Sequence, residues 1–141
     1  MFVKQISIFV ENRSGSAADI LEILAKENIN ICTLSIADTA DYGIMRLIVD
    51  DPDRAKVLLQ ENGVMAKCTD VLAIPIPDQP GGLAGVLKIL KEAGVAIDYM
   101  YAYVGHRQKN AVVLAKADDP DRALAALEEH GIIPFSAEQL W

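Results

Sequence analysis

Two short glycine-bearing segments carry the residues best suited to hold a small charged molecule. Asn12-Arg13-Ser14-Gly15-Ser16 and Asp78-Gln79-Pro80-Gly81-Gly82 each join an alternating apolar run to an amphipathic one. Such a join exposes the N–H groups of a first helical turn, which have no helical acceptor and sit at the positive end of the peptide dipoles. An anion such as a carboxylate is the natural guest, and glycine lets the backbone approach it closely. Asn12 and Asp78 can add side-chain bonds, Asp78 to an ammonium group. The same two side chains are equally suited to shaping the turn itself.

The other polar residues point away from catalysis. Asp50, Asp51, Asp53 and Asp118, Asp119, Asp121 fall at predicted helix starts, where negative charge is stabilised without a metal. Cys32 and Cys68 form no C-x-x-C and have no histidine at metal-ligand spacing, so they read as reduced thiols of a cytoplasmic protein. His106 stands with Arg107 and Lys109 in a polar connection, and His130 precedes a helix-ending Gly131. With no Ser/His/Asp set, no phosphate loop with its lysine and no metal spacing, neither enzyme activity nor a cofactor is expected. A net charge of −7 without a Lys/Arg cluster argues against a nucleic-acid surface. MFVKQISIFV alternates too regularly for a signal peptide, and no run approaches a membrane span.

The elements that must position these loops occur twice. Residues 12 to 31 recur as residues 78 to 97, and Asp-Asp-Pro-Asp-Arg-Ala stands at both Asp50 and Asp118. Ile6, Ile8 and Val10 alternate, as do Leu72, Ile74 and Ile76, which predicts a strand before each loop. Ala17, Ile20, Leu21 and Leu24, like Leu83, Val86, Leu87 and Leu90, make one helical stripe after it. Asn28 and Gly94 are the residue types that close a helix in the left-handed conformation.

Strands are expected over residues 29 to 37, 44 to 49, 95 to 104 and 111 to 117. Asp51-Pro52 and Asp119-Pro120 predict second helices with an acidic cap and proline at the first position, ended by Asn62-Gly63 and His130-Gly131. Val64 to Ala66 and Ile132 to Phe135 would supply last strands, with only Lys67 to Asp70 separating the two units. Each half therefore reads strand, helix, strand, strand, helix, strand, with both helices on one sheet face. This is an α+β chain of two ferredoxin-like units, residues 1–68 and 69–141, with antiparallel sheets packed side by side. The 52% hydrophobic content supports ordinary globular folding of units this small rather than disorder.

In this order of elements and in its loops the chain resembles the ACT domain family over essentially its whole length. Glu11-Asn12-Arg13-Ser14-Gly15 is similar to the His-Glu-Asn-Arg-Pro-Gly loop of serine-sensing phosphoglycerate dehydrogenase domains, with Ser14 for Pro and Phe9-Val10 where the His lies nearby. Asn28-Ile29-Asn30-Ile31 resembles the stretch opening that family's second strand, whose Asn reaches a ligand across an interface. Asp78-Gln79-Pro80-Gly81-Gly82-Leu83 is similar to the common Asp-x-Pro-Gly-x-Leu loop. Ile97-Asp98 resembles the Val-Asp at which aspartokinase domains meet an effector's amino group.

The resemblance implies a ligand set of Asn12, Arg13, Ser14, Gly15, Asn30, Asp78, Pro80, Gly81, Gly82, Leu83 and Asp98. It implies a non-catalytic regulator, a homodimer, that senses a small free amino acid between ACT units and modulates a separate enzyme of amino-acid metabolism. Asn12 facing Asp78, Ser14 facing Pro80 and Asn30 facing Ala96 imply sites of unequal affinity, or a single one. Two other readings stay open: an interaction module using the one-faced stripe Tyr99, Tyr101, Tyr103, and an acylphosphatase-like hydrolase clamping phosphoryl oxygens with Arg13. Trp141 is read as a terminal anchor or a frayed end.

Overall fold

Strict alternation makes Val3–Glu11 (β1) a strand with Ile6, Ile8 and Val10 buried on one face. In this computed structural model, which describes residues 1–38, 41–103 and 110–141, the chain forms two compact units. One comprises Lys4–Thr69, the other Met1–Val3 with Asp70–Trp141.

In the Lys4–Thr69 unit β1 is followed by Ser16–Lys26 (α1), Ile31–Asp38 (β2), Tyr42–Val49 (β3), Pro52–Glu61 (α2) and the start of Ala66–Ile76 (β4). The strand order is β2-β3-β1-β4, and β3 pairs antiparallel with both neighbours, β1 and β2. Ile20 and Leu24 of α1 and Ala55 and Leu59 of α2 close over Ile6, Ile8, Met45 and Leu47. Both helices thus cover one sheet face, as right-handed crossovers require.

The other unit repeats the plan with the rest of β4, then Gly82–Glu92 (α3), Ile97–Tyr103 (β5), Ala111–Ala117 (β6) and Pro120–Glu129 (α4). β6 pairs antiparallel with β4 and β5. Val86, Leu90, Ala123 and Leu127 pack on Leu72, Ile74, Val113 and Ala115. Both units are ferredoxin-like, with α+β architecture and antiparallel sheets.

Local signals account for the helix ends. The Asp51 carboxylate accepts from the Arg54 N–H at 3.1 Å, and Asp119 does the same for Arg122 at 3.1 Å. Asn28 closes α1 at φ 58° and Gly94 closes α3 at φ 73°. His130 Nδ1 lies 2.8 Å from the Ala126 carbonyl at the end of α4.

Two strand expectations change. No loop separates the units at Lys67 to Asp70: β4 runs unbroken from Ala66 to Ile76. Lys67 to Asp70 contain no glycine or proline, so nothing there breaks the strand. The last strand at residues 132 to 135 reduces to one antiparallel bridge, Phe135 to Ala73, because Pro134 lacks the N–H a ladder needs. A 3₁₀ turn, Glu138–Leu140, follows with Leu140 buried, and Trp141 is half-buried. No described helix is long and apolar enough to cross a membrane.

Candidate functional site

The β1–α1 turn is built around Gly15, which holds φ 85°, a backbone state that L side chains rarely adopt. α1 begins directly after it with no side-chain cap. The Ala17 and Ala18 N–H groups therefore point out of the helix without a helical acceptor. In the other unit Gly81 (φ 82°) starts α3 in the same way, also without a side-chain cap. The side chains of Asn12 and Asp78 make no hydrogen bond to any described residue, so neither shapes its turn as a cap would. Asn12, Arg13, Ser14 and Gly15 are all exposed, and so are Asp78, Pro80 and Gly81.

Arg13 is held between two carboxylates. Its Nε lies 3.0 Å from Glu11 Oε2, and a terminal nitrogen lies 3.6 Å from Asp19 Oδ2. All three groups face solvent, so the pairs contribute little to stability and mainly set the charge pattern at the rim.

Behind that rim a cleft of about 460 Å³ opens within the Lys4–Thr69 unit. Its walls come from the end of β1, the first turns of α1, Tyr42 at the start of β3, and the Asn62 to Met65 segment after α2. Strand register explains the convergence: Glu11 stands opposite Tyr42, and the Phe9 N–H donates to the Met65 carbonyl at 3.4 Å. The Phe9 and Tyr42 rings meet edge to face with centroids 5.7 Å apart. Ser16 lines the cleft, is only 6% exposed, and its hydroxyl has no hydrogen-bond partner among the described residues. Phe9, Asp19, Tyr42 and Met65 were not among the ligand residues expected from sequence, and Ser16 was expected only as part of the loop.

Asn30 and Asp98 lie elsewhere. β3 runs from Tyr42, opposite the loop end of β1, to Val49, opposite Ile31. Asn30 is thus about 20 Å from the glycine turn of its own unit, given ~3.3 Å per strand residue. Its Oδ1 accepts from the Ile31 N–H at 2.9 Å, and its own N–H donates to Asp50 Oδ1 at 3.1 Å. Ala96 keeps that second bond, to Asp118 Oδ1 at 3.0 Å, with no amide side chain. Asp98 is likewise at the far end of β5 from Gly81, with its carboxylate 3.4 Å from Lys116 Nζ. Within a unit, one small ligand cannot touch both the glycine turn and these residues.

Gly82 and Leu83 open α3. Gly82 is buried, and an added Cβ would collide with the Pro77 carbonyl oxygen. Tyr99, Tyr101 and Tyr103 are half-buried on the face away from the helices, opposite Lys116, Leu114 and Val112. The Tyr103 hydroxyl donates to the Leu140 carbonyl at 2.9 Å. His106, Arg107 and Lys109 lie outside the described residues.

Comparison with known proteins bears on the family and the fold. A family model described as an ACT domain pair matches residues 1–138. Protein BT0572 from Bacteroides thetaiotaomicron is similar at 42% identity and a TM-score of 0.91, over 99% of this chain and 96% of its own. The ligand-free regulatory subunit of aspartate kinase from Thermus thermophilus is 17% identical over 89% of this chain and 90% of its own, with a TM-score of 0.63. Aspartate kinase from Clostridium acetobutylicum is 13% identical over 89% of this chain and 32% of its own, with a TM-score of 0.57. At those identities the kinases share the fold. No protein with a curated description matches the sequence. Two ferredoxin-like units, each with a glycine-turned open helix start, and a family match over nearly the whole length lead to one assignment: the chain belongs to the ACT domain pair family.

Proposed function

We propose that this protein is a non-catalytic regulator that binds a free amino acid at the β1–α1 turn and passes the binding event to an enzyme of amino-acid metabolism. The observation that carries the reading is the open start of α1, with Gly15 at φ 85°, no side-chain cap and an unbonded Asn12, above a cleft of about 460 Å³. Donors left unsatisfied at a helix start suit a carboxylate, and Asn12, in the same turn, has an exposed side-chain amide able to add a bond. ACT domains are regulatory modules, and the Thermus protein of the same fold is a regulatory subunit. Binding acts by shifting an equilibrium between two states through its difference in affinity for them.

Calorimetry and thermal-shift measurements with the twenty amino acids test this directly. Binding of one of them with a rise in Tm supports the reading. The absence of heat and of any shift across the whole set counts against it.

The hydrolase alternative is disfavoured by Arg13, whose two carboxylate neighbours at 3.0 and 3.6 Å oppose a phosphoryl group. Hydrolysis of an acyl phosphate that is lost in Arg13→Ala would restore it. The interaction-module reading loses part of its surface, since Tyr103 already bonds the chain's own Leu140.

We propose in addition that the chain is a homodimer. Among the described residues β2 pairs only with β3, and it presents Leu34 and Ile36 at 41% and 52% exposure on the helix-covered face. An apolar strand edge of this kind gains by pairing with a second copy.

A further inference from the structure

We infer that the amino acid taken by the Arg13–Ser16 cleft has a large apolar or aromatic side chain. This rests on the amino-acid-binding reading and goes beyond it, replacing the small ligand that the loop resemblance implies.

The cleft, at about 460 Å³, falls inside the ~300–1,000 Å³ range of ligand pockets. Its walls are mixed but mainly apolar: Phe9, Ile20, Ile23, Tyr42, Val64 and Met65 stand beside the polar Glu11, Arg13, Ser16, Asp19 and Asn62. Three of these are left in solvent at one place, Phe9 at 52%, Tyr42 at 44% and Met65 at 69%. A small polar guest would leave them wet. A bulky apolar one would cover them, and the edge-to-face pair of Phe9 and Tyr42 offers a rigid wall to a ring or a branched chain.

The polar groups select a zwitterion. Ser16 carries a buried hydroxyl with no partner at the first residue of α1, next to the open N–H groups of the same turn. A carboxylate at the helix start supplies the acceptor that hydroxyl lacks. Glu11 and Asp19 at the rim supply carboxylates for an ammonium group, and Arg13 lies between them. One end of the cleft thus suits the amino-acid backbone, and the rest is mainly apolar side chains with Asn62 among them.

The duplicated unit serves as an internal control. At the matching positions it has Pro75 for Phe9, Asn110 for Tyr42, Gly82 for Ser16 and Gly85 for Asp19. The fold itself therefore does not require the aromatic pair, the hydroxyl or the rim carboxylate. Moreover, the Pro77 carbonyl blocks any side chain at Gly82, so the second turn has no room for the hydroxyl that the first one carries.

The test is calorimetry of the full chain with phenylalanine, tryptophan, leucine and methionine against serine, alanine, glycine and aspartate. The expected result is at least tenfold tighter binding of one or more of the large apolar group. Met65→Glu, at an exposed position, should weaken that binding about tenfold with the Tm of the free protein unchanged. Ser16→Ala should weaken it by a similar factor. If a small or acidic amino acid binds and the large ones do not, the inference fails while the regulator reading stands. If no amino acid binds, both fail. If a large one binds but neither Met65→Glu nor Ser16→Ala alters its affinity, the cleft is not its site and the inference is overturned.

Discussion

Ser16 and Gly82 occupy the same step of the fold, as first residues of α1 and α3. Around Gly82 the Pro77 carbonyl leaves no space for a Cβ, so Gly82→Ser should destabilise the protein by about 1–3 kcal/mol, as overpacking does, read as a lowered denaturation midpoint. Asn12 has no structural bond to lose, so Asn12→Ala should leave Tm within about 1 °C and weaken amino-acid binding by about tenfold, the value of one hydrogen bond to a charged group. Equal loss of both stability and binding would show that Asn12 shapes the turn after all. The glycine turns were legible in the sequence because a left-handed step has few residue types to choose from. Phe9, Tyr42 and Met65 were not, because they lie far apart along the chain and meet only through the β1–β3 register and the Phe9–Met65 backbone bond. A signal was nonetheless present: these are positions at which the two copies disagree while the scaffold around them agrees.

The helices were the easiest elements to read, since their boundaries depend on local chemistry alone. Asp51 and Asp119 each accept from a backbone N–H at 3.1 Å, ahead of a proline that needs no donor. Removing either cap by Asp→Ala should cost about 1 kcal/mol, seen as a Tm lower by a few degrees. Strands were harder, because their extent depends on partners elsewhere in the chain. Residues 67 to 70 look like a polar linker in sequence, yet they continue β4, and their polarity reflects partial exposure within a strand. Asn30 shows the same limit in reverse. Its type suggests a ligand contact, whereas its amide bonds its own strand's backbone, and only the strand register reveals that it lies at the end away from the glycine turn.

At the scale of the whole chain, duplication has kept one framework and let its working surfaces diverge. The proposed dimer makes β2 the place to test association: Ile36→Lys should shift the native mass from dimer to monomer in light scattering, with the fold retained by circular dichroism. An unchanged dimer would place the interface elsewhere. The division of the units has a further consequence. Met1–Val3 belong to the unit formed by Asp70–Trp141, and Phe2 packs against its core. These three residues therefore find their place only after the core they join has been made. Until residues beyond Asp70 have been made, they have no core to join and stay exposed on the nascent chain. Phe2→Ala should accordingly lower the stability of the Asp70–Trp141 unit, measurable by hydrogen exchange in α3 and α4. A change at Met1–Val3 thus acts on the Asp70–Trp141 unit rather than on the Lys4–Thr69 unit that adjoins it in sequence.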